Sequence, residues 1–174
     1  MPRYIRKGSC LVLRSDKYYE QLAAKAVQEA GISEPPVPIA AVAEHLGIPI
    51  VRMDLPPWFT GALIYEDGMP AILLNGSKDK HIQDAGIGHL VGHILILLDD
   101  PAADYPRDRL DTHREADTIS AALAVPDFMV ADQAAKWFND YRYLARLFGV
   151  SEKRMLDKMQ GMGLIKSRGI VWDY

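Results

Sequence analysis

The chain has almost no cysteine: Cys10 is the single one in 174 residues. One thiol excludes an internal disulfide framework and any cysteine-rich zinc site, and it suits a reducing compartment. Long apolar runs are lacking too. The longest, Ala85 to Leu98, is shorter than the roughly 20 residues a bilayer span needs, and it carries two histidines. Near the start, Cys10-Leu-Val-Leu13 is too brief for the apolar middle of a signal peptide. A cytoplasmic protein without membrane contact is expected. No charge of one sign dominates, with 20 basic and 23 acidic residues and a net charge of -3. That balance speaks against a surface devoted to nucleic acid, so direct nucleic-acid binding is not expected. Internal repeats, low-complexity tracts and charge blocks are absent from the sequence.

What is present is an ordinary hydrophobic fraction, 49%, in a chain long enough for one compact core. Apolar positions at helical spacing mark Tyr18 to Ala30, stopped by Gly31. Pro38 opens a second helix as a first-turn residue, and Gly47 ends it. Ile48–Met53, Gly61–Tyr65 and Pro70–Leu74 read as strands, with Asp67-Gly68 as a hairpin signal between the last two. Ser77 is positioned to cap a long helix over Lys80–Leu98. Further helices are expected from Asp111 or Thr112 to Val125, over Phe128–Phe138 and Asp140–Phe148, and from Ser151 to about Gln160; Gly169–Trp172 is a candidate terminal strand. The fold class expected is α+β: a small mixed or antiparallel three-stranded sheet on a helical bundle. Residues 1–126 form the main domain and 127–174 a helical region packed on it.

The chemistry concentrates in His89-Leu90-Val91-Gly92-His93. Residues four apart share a helix face, and two imidazoles so placed can hold one metal ion, as in the H-E-x-x-H zinc helix. The glutamate that should follow the first histidine is Leu90. Gly86, Gly88 and Gly92 each cost this helix about 0.8–1 kcal/mol relative to alanine, and close backbone packing is the expected compensation. A zinc site of this type needs a third protein ligand. Glu115, at the head of the next helix, can supply it, with Asp111, His113 and Asp117 as candidates for outer-shell support or substitute ligation. The plain alternative is a pair of core histidines and an acid favoured by the helix dipole.

These residues carry a resemblance. His89, Gly92 and His93 match an H-E-L-G-H helix, and Glu115, Ala116, Ala121, Leu123 and Pro126 match a downstream E-A-x-x-x-A-A-x-L-x-x-P helix. Together with Val37–Ile48, Gly61–Ile64, Ala71–Asn75, Leu144–Ser151 and Met162–Ile165, they make the chain resemble the ImmA/IrrE family of zinc metallopeptidases. The resemblance implies a zincin-like fold, zinc on His89, His93 and Glu115, and action on a repressor or antitoxin protein in transcriptional or stress regulation. It also implies a glutamate general base at position 90, where this chain has leucine. A protein that cleaves poorly or not at all is therefore expected. The alternatives are a non-enzymatic repressor-binding protein using the former substrate cleft, and a DNA-binding regulator built on Tyr143–Ile165, which resembles a helix-turn-helix; a site that has lost its zinc is a separate alternative to the metal-bound one. Pro56-Pro57-Trp58-Phe59 can line a peptide cleft or fold onto the core; Trp137 and Trp172 are expected in the core.

Overall fold

The computed structural model describes residues 14–66, 69–99 and 110–166. Seven helices and three strands lie in these segments: α1 (Asp16–Glu29), α2 (Ile39–His45), β1 (Ile50–Met53), β2 (Gly61–Glu66), β3 (Met69–Asn75), α3 (Lys80–Asp99), α4 (Leu110–Ala124), α5 (Asp127–Lys136), α6 (Tyr141–Phe148) and α7 (Glu152–Gly161). The architecture is α+β. Cys10, the Asp67-Gly68 turn, Trp172 and the proposed terminal strand lie outside the described residues.

Strand order is β1-β3-β2. β3 pairs parallel with β1, Ile50 opposite Ile72, and antiparallel with β2, Leu63 opposite Ile72. The sheet is thus mixed, and among the described residues β2 is an edge strand. Ile72 and Leu74 of β3 are buried on the helical side, whereas Val51, Met53 and Ile64 stay exposed on the other strands.

α3 runs through the middle and touches α1, α2, α4 and the sheet. Its apolar residues Ile87, Val91, Ile94 and Leu95 are buried in one cluster with Val27 of α1, Ile119 and Leu123 of α4, Met129 of α5, Leu144 of α6 and Met155 and Met159 of α7. One continuous core therefore joins the segments before and after Pro126.

Local signals set most element ends. Gly31 and Gly47 take left-handed backbone just after α1 and α2, as the C′ position prefers. Pro38 precedes α2 as its N-cap residue rather than entering the first turn. Ser77 does not cap α3: its hydroxyl donates to the Asn75 side chain (2.7 Å), and the first helical bond runs from Gln83 N–H to the Asp79 carbonyl (3.0 Å).

Candidate metal centre

α3 and α4 cross closely enough to exclude side chains at the contact. A Cβ on Gly92 would stand 2.6, 2.9 and 3.1 Å from the Ala116 carbonyl oxygen, Cα and carbonyl carbon, and one on Gly88 would stand 2.5 Å from Ser120 Oγ. Two of the three costly glycines are thereby explained: they let the helix backbones meet. Gly86 is different, since its nearest neighbours are side-chain atoms of Thr60 and Leu74 at 3.5 and 3.6 Å.

That approach brings histidines of both helices together. His89 Nε2 lies 3.1 Å from His93 Nε2 and 3.2 Å from His113 Nδ1. The ligand atoms of the three rings lie within 4.8 Å of one another. Asp117, one turn beyond His113, accepts a hydrogen bond from His89 Nδ1 (2.7 Å). This fixes the proton on Nδ1 and leaves the Nε2 lone pair facing the other two rings. A carboxylate behind a ligating imidazole orients it and raises its basicity.

The geometry suits a metal ion. Zinc–nitrogen bonds of about 2.0–2.1 Å in a tetrahedron put nitrogens roughly 3.3 Å apart. His89 Nε2 has one lone pair for the two ring nitrogens that face it. His93 is held neutral in the metal-free chain: burial lowers its pKa to about 4, and its His89 and His113 neighbours push the same way while Asp117 opposes. Neutral imidazole is the ligating form. His113 and Asp117 are exposed and His89 and His93 half-buried, so the cluster opens to solvent.

His89 and His93 converge as their spacing requires. The third imidazole is His113, which sequence reasoning placed only among substitutes. Glu115, two residues further along α4, is half-buried and is not one of the three groups that come together among the described residues. On a helix, position 115 points some 200° away from 113, whereas 113 and 117 share a face. Of the acids carried by α3, Asp84 pairs with Lys80 and Asp99 with Arg14 (2.5 Å) and Tyr18. The side chain of Asp111 lies outside the described residues.

Leu90 follows His89, at the place the H-E-x-x-H pattern gives to its glutamate. It is half-buried, and its Cδ1 lies 3.6 Å from where a Cβ on Gly61 would sit. Leu90 thus packs against the first residue of β2.

Residues 43–159 match the family model for the IrrE N-terminal-like domain. The chain belongs to the ImmA/IrrE family. Among solved structures, it is similar to a Mycobacterium tuberculosis transcriptional regulator, with 19% identity and a TM-score of 0.59 over 88% of this chain and 49% of that one. At that identity the likeness is one of fold, and the chain spans about half the length of that relative. No curated protein matches the chain in sequence.

Two features escaped the sequence reading. Asn75 is completely buried. Its amide nitrogen donates to the carbonyls of Leu55 (2.9 Å), Pro56 (3.1 Å) and Phe59 (2.9 Å), and its oxygen accepts from the Leu55 N–H (3.2 Å). This one side chain pins the loop between β1 and β2, whose tip, Trp58, is 82% exposed. The loop is therefore held open beside the sheet rather than folded onto the core. Trp137 is also not a core residue: it is 44% exposed, set at a tilt of 41° against Tyr143 with ring centroids 4.4 Å apart and donating from Nε1 to Gln133 Oε1 (3.2 Å). Among the described residues no helix is long and apolar enough to cross a membrane.

Proposed function

We propose that this ImmA/IrrE-family protein holds zinc on His89, His93 and His113 and acts in the cytoplasm as a regulator that engages a repressor or antitoxin protein, with peptide-bond cleavage weakened or lost. One observation carries the reading: the metal-binding geometry persists while its acid–base position is hydrocarbon. Zinc, when bound, supplies Lewis-acid polarisation. Asp117 orients His89, and His113 completes a neutral donor set. Hydrolysis of an amide also needs a group that takes a proton from water and passes it to the leaving amine. Leu90 can do neither. The pinned Trp58 loop and edge strand β2 offer a surface on which an extended polypeptide segment can lie as an added strand.

DNA reading by α7 is not part of this proposal. Lys158 is paired with Glu20 (3.1 Å) and Asp127, and Arg154 donates to the Ala121 carbonyl (2.8 Å). These cations of the second helix are turned toward the body of the protein.

Zinc titration of the wild type, His113→Ala and Glu115→Gln tests the ligand set. Loss of binding in His113→Ala with retention in Glu115→Gln is expected. The reverse pattern would restore Glu115 as third ligand and remove His113. Peptide cleavage by zinc-loaded wild type, compared with Leu90→Glu, tests the chemistry. Cleavage about 10²–10⁴-fold slower in the wild type is expected, the usual worth of a general base; equal rates would overturn the loss of proteolysis.

A further inference from the structure

A second site lies away from the histidines. A groove of about 720 Å³ runs between α1, α4 and α7, within the size range of small-molecule sites. Its floor is apolar, formed by Ala122, Val125 and Met162, and its rim is charged.

The lining carries four carboxylates, Asp16, Glu20, Asp127 and Asp157, and three cations, Lys17, Arg154 and Lys158. Each wall carboxylate already has a cation: Asp16 has Arg114 (3.6 Å), Glu20 and Asp127 share Lys158, and Asp157 has Lys153 (2.7 Å). Two wall cations, Arg154 and Lys17, have no carboxylate partner among the described residues. Arg154 donates from one terminal nitrogen to the Ala121 carbonyl (2.8 Å), one of the last four of α4 that a helix leaves without an internal partner. This bond anchors the guanidinium at the groove wall, and its other N–H donors make no further hydrogen bond among the described residues. The surrounding protein desolvates the group enough to lower its pKa, and no neighbouring charge offsets that effect. A planar fork of this kind binds carboxylate and phosphate oxygens in pairs.

We infer that this groove binds a small organic anion, its carboxylate or phosphate head on the Arg154 guanidinium with Lys17 opposite, and its apolar body on Ala122, Val125 and Met162. The site is independent of the metal centre, although α4 forms part of both.

Isothermal titration of the full chain with phenyl phosphate, benzoate and inorganic phosphate, at constant ionic strength set with chloride, tests it. Saturable binding of phenyl phosphate or benzoate is expected, and the tighter of the two identifies the preferred head group. Binding should weaken about tenfold or more in Arg154→Met, less in Arg154→Lys, which keeps the charge and loses the fork, and not at all in Arg142→Met. If Arg154→Met fails to fold, the Arg154→Lys comparison decides alone. Three outcomes overturn the inference: no saturable binding of either organic anion, undiminished binding in the Arg154 variants, or inorganic phosphate binding as tightly as phenyl phosphate, which would leave the apolar floor without a role. An Arg154→Met variant that is less stable while the wild type binds no anion would assign Arg154 only to closing the end of α4.

Discussion

The α3–α4 pair and the α6–α7 pair are both helical hairpins, built on opposite principles. α6 and α7 are specified locally. The Asp140 side chain accepts from the N–H groups of Arg142 and Tyr143 (3.0 and 3.1 Å), Gly149 turns the chain in left-handed backbone, and the Ser151 hydroxyl accepts from the Arg154 N–H (3.2 Å). α3 spends helix propensity on three glycines and is stabilised by what it touches: Gly88 against Ser120 and Gly92 against the Ala116 backbone. The locally written pair is a packing unit, whereas the pair that depends on tertiary contact holds the histidine cluster. A close crossing costs intrinsic helix stability, and it is also what lets side chains from two helices converge on one point.

The largest break in this comparison comes at the crossing itself. Gly92→Ala adds a methyl into rigid backbone, so it is expected to destabilise by about 1–3 kcal/mol despite alanine's better helix propensity, and to impair zinc binding. Gly86→Ala, whose new methyl meets only side chains at 3.5 and 3.6 Å, is expected to stabilise by about 0.5–1 kcal/mol. Urea denaturation of both variants checks the opposite signs. Next, Asp117→Asn leaves the fold intact and removes the carboxylate behind His89; zinc affinity measured by competition with a chelator is expected to fall about 10–100-fold.

Acid sharpens the contrast further. The folded-state pKa of His93 lies below its ordinary value of 6.5, at about 4, so the unfolded chain binds the proton more readily. His93 therefore contributes stability above pH 6.5 that is lost as pH falls through the window down to about 4. Denaturation of the metal-free chain across that range is expected to show the loss, and His93→Gln to reduce it. The smallest effect is at the other hairpin: Asp140→Ala is expected to cost about 1 kcal/mol and to leave zinc affinity unchanged, as thermal melts and zinc titration will show.

These contrasts follow what could be read in advance. The long helix over 80–98, the strands at 61–65 and 70–74 and the Ser151 cap were legible because periodicity, β-branched and other apolar runs and capping side chains act over a few residues. Trp137, expected in the core, stands at the end of α5, where nearly half of it is exposed. The role of Asn75 is not legible along the chain, because its hydrogen bonds go to a loop some twenty residues earlier. Where the β1–β2 loop would settle could not be decided without that contact.

The sequence by itself determined that one helix presents His89 and His93 on a common face and that Leu90 brings no proton-transferring group, because helical pitch and side-chain chemistry are local properties. Only the tertiary structure decided which side chain joins them. A crossing angle and a helix rotation, set by glycine-to-backbone contact between α3 and α4, bring His113 and Asp117 to the pair, and no spacing along the chain encodes that rotation.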